Sequence, residues 1–183
     1  MHHLLYHHLQ LEAARLNYYE EHSIKYDTDI EGQFKDTQAP GDFSKYGDPI
    51  MDTLLNLSLE QMQTLTAKEL IPTYSYHRLY TQGTELKRHK DRASCEISTT
   101  ICIGYNSDYN WPMFISKQEE DKGEPVYLNP GDCIIYSGCD LYHWREPFKG
   151  KNHAQVFLHY NEKNGEFNNI YDNRKVLGVN PRV

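Results

Sequence analysis

Over the first 70 or so positions the apolar residues recur at helical spacing, and beyond them at strand spacing. Leu4, Leu5, Leu9, Leu11 and Leu16 fall loosely on one face of a helix running to about Tyr19. From Asp27 to Tyr46 the chain is polar, rich in Gly and Asp and without clear period, which predicts an ordered loop draped over the domain. A second helix has a sharp start. Asp48 can cap, Pro49 suits a first helical position where no N–H is needed, and Ile50, Met51, Leu54 and Leu55 form an apolar stripe. Ser58-Leu59-Glu60-Gln61 reads as a capping box opening a short third helix.

From Tyr74 the texture changes to β-branched and aromatic runs: Tyr74 to Tyr80, Glu96 to Tyr105, Trp111 to Ile115, Pro125 to Leu128, Asp132 to Tyr136 and Ala154 to Tyr160. Gly, Asn, Asp and Pro punctuate them, as in Asn129-Pro130-Gly131-Asp132. Strands and helices do not alternate, which argues against a parallel doubly wound sheet. The expected fold is mainly β, a sandwich or jelly roll backed by amino-terminal helices. One domain spans 1–183, with helical support over 1–72, a β core over 73–162 and a tail over 163–183 whose Tyr171-Asp172-Asn173-Arg174 packs back on it.

Composition narrows the function classes. With 19 basic and 26 acidic residues the net charge is −7, and only short clusters such as Lys87-Arg88 and Lys149–Lys151 are basic, so a nucleic-acid partner is disfavoured. No apolar run approaches the ~20 residues that span a bilayer. The start, Met1 to Leu9, lacks the features of a secretory signal, and the expected location is cytoplasmic. Cys95, Cys102, Cys133 and Cys139 show no C-x-x-C spacing, which speaks against zinc fingers and thioredoxin-type motifs and for reduced, structural cysteines.

His89-Lys90-Asp91 is the triplet that carries chemistry. In a strand alternate side chains share a face, so His89 and Asp91 point one way and Lys90 the other. An imidazole and a carboxylate so placed can chelate one divalent ion, although an isolated H-x-D among ten histidines is weak evidence. A second histidine strengthens it. The tight turn Asn129-Pro130-Gly131-Asp132 starts a strand back across the fold, and Leu141-Tyr142-His143-Trp144-Arg145 follows, which puts His143 on an inner strand. Two histidines and one carboxylate on one face of an octahedral ion leave three positions open, as in non-haem iron(II) oxygenases.

With those residues in view, the stretch from about Tyr74 to Tyr160 resembles the catalytic core of the 2-oxoglutarate/Fe(II)-dependent dioxygenases, in the prolyl-4-hydroxylase-like branch. The likeness covers roughly half the chain. Its carriers are Tyr80 ahead of His89-Lys90-Asp91, the turn Pro130-Gly131-Asp132, His143, and the strand Gln155 to Tyr160. Tyr46-Gly47-Asp48-Pro49, Pro72 to Tyr76 and His143 to Phe148 also resemble a bacterial and phage subgroup. The resemblance implies a double-stranded β-helix of jelly-roll, cupin-like form over 73–162. It also implies Fe(2+) on His89, Asp91 and His143, 2-oxoglutarate as co-substrate and O2, with succinate and CO2 released as a peptide or small molecule is hydroxylated.

One departure from the family stands out. The family puts a Lys or Arg about ten residues after the distal histidine, on the next strand, to hold the far carboxylate of 2-oxoglutarate. That place is His153 here, with Lys151 two before it and Gln155 two after. Lys151, His153, Gln155, Phe157 and His159 share one strand face, opposite Val156 and Leu158. Arg145, two past His143, offers a fork better matched to a carboxylate. Arg145, Lys151 and His153 therefore stand as alternative anchors, with Tyr80 and Gln155 as further co-substrate contacts. Arg92 is a candidate for the substrate entrance, and Trp144 for substrate stacking as against core packing. Loops 106–110 and 116–124 are left for recognition. Two other readings remain: a cupin-like metalloenzyme that does not use 2-oxoglutarate, and a non-catalytic jelly roll used in binding or assembly.

Overall fold

Two antiparallel sheets face each other across a cavity, and helices cover the outer face of the larger one. The structure, a computed structural model, describes residues 1–179; positions 180–183, the end of the expected tail, lie outside it. In chain order the elements are α1 (His2–Glu21), α2 (Thr28–Glu31), β1 (Phe43–Tyr46), α3 (Pro49–Leu57), α4 (Leu59–Thr66), β2 (Leu70–Thr81) and β3 (Leu86–His89). They continue with β4 (Ile97–Asn106), β5 (Met113–Ser116), β6 (Glu124–Val126), β7 (Cys133–Tyr136), β8 (Tyr142–Arg145) and β9 (Asn152–Glu162). The larger sheet has the order β1-β2-β9-β4-β7 and the smaller β3-β8-β5-β6.

Period two on β9 divides the molecule. Ala154, Val156, Leu158 and Tyr160 face outward into the main core, where Leu5, Leu9 and Leu16 of α1 and Met51 and Leu55 of α3 meet them. Each Leu, Val or Met among them contributes about 1.5–3 kcal/mol by burial. Phe157 and His159, at the alternate positions, line the cavity on the other face.

The helices differ in detail from the sequence expectation. The buried stripe of α1 is Leu5, Leu9, Ala13 and Leu16; Leu4 and Leu11 are 74% and 69% exposed and lie off it. Asp48 caps α3 as expected, accepting from the N–H groups of Ile50 at 2.9 Å and Met51 at 3.3 Å. Met51 and Leu55 are buried, whereas Ile50 is exposed. The capping box at Ser58 does not form: Ser58 also ends α3, so its backbone is helical, and an N-cap needs an extended one.

The region Asp27 to Tyr46, expected to be all loop, holds α2 and the edge strand β1. Four residues each is too short to show a period. Between them a strap crosses to the cavity, pinned by Asp42, whose carboxylate accepts from Thr81 N–H, Thr81 Oγ1 and Thr84 Oγ1 at 2.7–3.0 Å. At the other end of the chain Arg174 pairs with buried Asp52 at 2.6 Å and donates to the Thr73 carbonyl at 3.0 Å, so the tail does pack back. The four cysteines are free; Cys95 and Cys102 are buried, and Cys133 is exposed rather than structural. Among the described residues no helix is long and apolar enough to cross a membrane.

Candidate active site

Pairing of β3 with β8 sets His89 directly opposite His143, with ring centroids 4.3 Å apart. Asp91 joins them by a route that strand alternation does not supply. Strand β3 ends at His89, and the Asp91 N–H donates instead to the Gly138 carbonyl at 2.9 Å, in the loop before β8. Its Oδ1 then lies 3.6 Å from His89 Nε2 and 3.4 Å from His143 Nε2.

The tautomers follow from the backbone. His89 Nδ1 lies 2.7 Å from the Lys87 carbonyl and His143 Nδ1 3.1 Å from the Leu141 carbonyl. A carbonyl only accepts, so each proton sits on Nδ1 and each Nε2 keeps its lone pair for the centre. Burial, helped by the neighbouring His143, holds His89 below its usual pKa and therefore neutral. Burial works to raise Asp91, but the nearby His143, His159 and His89 outweigh it and hold the carboxyl below its ordinary value. The remaining oxygen, Asp91 Oδ2, is buried with no hydrogen-bond partner among the described residues. Two imidazoles presenting Nε2 and a carboxylate, with ligand atoms within 4.8 Å of one another, are a donor set suited to a divalent ion.

Gly138 makes this approach possible. A Cβ there would meet Asp91 Oδ2 at 2.6 Å, Ser98 Oγ at 2.8 Å and the Cys95 carbonyl closer still. Gly138→Ala is expected to keep the fold but weaken metal affinity 10- to 100-fold, the range seen when groups supporting a ligand are disturbed. Isothermal titration with Mn(2+) beside a circular dichroism spectrum would check both halves.

The cavity holding the three residues has a volume of about 460 Å³. On β8, His143 and Arg145 point into it. Trp144 points away, stacking on Phe114 at 5.4 Å under the Arg88 guanidinium, so it packs the outer face and is not among the cavity's lining residues. Arg145 is only 2% exposed; it donates to the Trp111 carbonyl at 2.6 Å and lies over the Trp111 ring. Among the described residues no carboxylate pairs with it, and burial pulls its pKa below the ordinary value.

The other anchor candidates fall away from the cavity. Lys151 is exposed: β9 begins one residue later, and the Lys151 N–H donates to Asn106 at the sheet's end. His153 is buried behind the wall, where Nε2 donates to Gln155 Oε1 at 2.8 Å and Gln155 donates on to Thr100 Oγ1 at 2.6 Å. Burial, with the Arg145 cation nearby, pulls His153 down to about 3, so it carries no charge for an anion. Tyr80 is fully buried against Trp111, 5.1 Å between centroids, and its hydroxyl accepts from Arg78 Nη1 at 3.2 Å. Tyr80, His153 and Gln155 thus support the wall and do not line it.

Because the folded pKa of His153 lies below the unfolded value of about 6.5, the unfolded chain takes up the proton first. Stability from this group is full above that pH and is lost as pH falls towards about 3. Between pH 6.5 and 5 the wild type should lose about 2 kcal/mol more than His153→Gln in urea unfolding.

Arg92 does line the cavity, its guanidinium 4.5 Å from the Tyr74 ring and paired with Asp172 at 2.6 Å. Sequence reasoning missed Arg78, which enters the cavity wall from β2 and is held by Asp36 of the strap. Its signal was the shared period with Tyr74, Tyr76 and Tyr80. A His8, Glu12 and Asp48 cluster under α1 could hold an ion by spacing, but Lys45 already bridges Glu12 at 2.7 Å and Asp48 at 2.8 Å.

The fold is shared with solved structures. AviO1 from Streptomyces viridochromogenes superposes with a TM-score of 0.59 at 16% identity, covering 86% of this chain and 84% of that one. A prolyl-4-hydroxylase from Pseudomonas putida gives 0.52 at 14%, over 84% and 86% of the two chains. An oxidoreductase of the 2OG-Fe(II) oxygenase family from Burkholderia pseudomallei gives 0.53 at 17%, over 68% and 69%. No protein-family model matches the sequence, and no curated protein does. At these identities the likeness speaks for the fold.

Proposed function

We propose that the protein is a 2-oxoglutarate- and iron(II)-dependent dioxygenase that hydroxylates a small molecule or a peptide side chain. The strand orders fit a double-stranded β-helix: β2, β4, β7 and β9 fall in one sheet, and β3, β5, β6 and β8 in the other. His89, Asp91 and His143 would hold the metal. Bound there, iron(II) supplies the redox chemistry that couples O2 and 2-oxoglutarate to oxidation of a C–H bond.

The observation that carries the co-substrate is Arg145: a buried guanidinium without a carboxylate partner among the described residues, on the same face of β8 as His143 and in the same cavity. A desolvated cation of this kind is costly unless an anion meets it. Its fork would bind the far carboxylate of 2-oxoglutarate in two parallel hydrogen bonds, setting the other end towards the three ligands. The Tyr74, Tyr76 and Phe157 rings line much of the rest of the chamber. Substrate enters past Arg92, and a volume of about 460 Å³ suits a small molecule or one side chain.

Anaerobic protein given Fe(II) and 2-oxoglutarate should develop a weak visible charge-transfer band, and on aeration should form succinate slowly without added substrate. Absence of both, with no calorimetric 2-oxoglutarate binding, would leave the cupin-like alternative.

A further inference from the structure

Asp91 belongs to a second set of donors. Its carboxylate, the Cys95 thiol and the His159 imidazole offer ligand atoms that all lie within 4.8 Å of one another, on the wall of the same cavity. Cys95 and His159 are 2% and 5% exposed. Three features separate this corner from an ordinary polar patch.

The first is the divided carboxylate. Oδ1 is set against His89 and His143, while Oδ2 is buried and has no partner among the described residues. A desolvated carboxylate oxygen without a donor is expensive unless a cation meets it. The second is the His159 tautomer. Ser98 Oγ–H donates to the Cys95 carbonyl at 3.1 Å, which can only accept, so the hydroxyl must accept from His159 Nδ1–H at 2.8 Å. His159 Nε2 therefore keeps its lone pair. The third is the Tyr74 hydroxyl, 3.0 Å from Cys95 Sγ, where it can donate to a metal-bound sulfur and steady it.

A thiolate, an imidazole and a carboxylate suit a tetrahedral, thiophilic ion, with metal–sulfur bonds of about 2.3 Å and metal–nitrogen or metal–oxygen bonds of about 2.0–2.1 Å. The ligand atoms would have to draw in by side-chain rotation to reach those lengths. We infer that Asp91, Cys95 and His159 form a second divalent-cation site, for zinc or cobalt(II), bridged to the first through the two oxygens of Asp91. Water fills the fourth position. As the metal–sulfur bond forms, the thiol proton leaves to solvent and no electron is transferred. Two dications on one carboxylate repel, so zinc here would weaken the hold on iron and act as an inhibitor. The inference shares Asp91 with the proposed iron site and otherwise stands apart from it.

Anaerobic cobalt(II) titration of the full chain tests it. Wild type should bind two equivalents and show a thiolate-to-cobalt charge-transfer band in the near ultraviolet. Cys95→Ser should bind one equivalent and lose the band. His159→Gln should lose it too with the thiol in place, which guards against a misfolded serine variant. The double variant His89→Ala/His143→Ala should keep the band and bind one equivalent. No near-ultraviolet band in wild type, or a band persisting in both Cys95→Ser and His159→Gln, overturns the inference. Unchanged two-equivalent binding in the double variant, with the band retained, overturns the first-site reading and leaves this one standing.

Discussion

Asp91→Asn should leave the apo fold intact and remove every sign of metal binding. Asparagine keeps the shape of the side chain and its hydrogen-bonding length, and it removes a buried charge whose Oδ2 has no partner among the described residues. The apo protein should therefore lose little stability. The metal-loaded state should differ greatly. An ion that binds only the folded chain stabilises it by RT ln(1 + [M]/Kd), about 2.7 kcal/mol at a hundredfold excess over Kd. Wild-type protein with anaerobic Fe(II) or Mn(2+) should show that gain in thermal unfolding, and Asp91→Asn should show none. Succinate formation should fall by more than the ~100-fold that accompanies damage to a supporting group. An equal metal-induced shift in both proteins would mean that the ion sits elsewhere. Asp91 is also common to both proposed sites, which makes this the one substitution expected to empty the cavity of cations altogether.

The reason His89 and His143 are legible from sequence, while other parts of the site are not, lies in where period two applies. Both histidines are strand residues that face each other across the β3–β8 pair, despite a bulge between Leu86 and His89, and a strand's faces can be read from alternation. Asp91 is named by the same triplet, but its position comes from a hydrogen bond to Gly138, a contact across 47 residues of chain that no local pattern encodes. Lys151 is a boundary effect: alternation continued one residue past the start of β9 puts on the inner face a lysine that the sheet's end turns to solvent. Trp144 is excluded by alternation itself once His143 is inward. Arg78 shares a face with Tyr74 and Tyr76, yet which face meets the cavity depends on the second sheet. The strap, α2 and β1 are stabilised by partners far along the chain, such as Asp42 with Thr81 and Thr84, and leave no period to read.

Arg145→Met should separate metal from co-substrate. The guanidinium is 2% exposed, faces the cavity and has no acidic partner among the described residues, so methionine relieves a buried charge while leaving the Trp111 carbonyl without its donor. Those two changes oppose each other at about 1–3 kcal/mol each, and net apo stability should move little. Binding of 2-oxoglutarate should change far more. Removing one partner of a desolvated, hydrogen-bonded charge pair costs about 2–5 kcal/mol, which is roughly 30-fold or more in Kd. Calorimetry with Mn(2+) in place should find 2-oxoglutarate binding lost and metal binding kept. Arg145→Lys should recover part of the affinity, because the charge returns without the planar fork. Lys151→Ala should be indistinguishable from wild type, since its side chain lies in solvent beyond the end of β9. The opposite pattern, with Lys151→Ala defective and Arg145→Met intact, would move the anchor off β8. The buried guanidinium would then need another anion to meet it in the cavity.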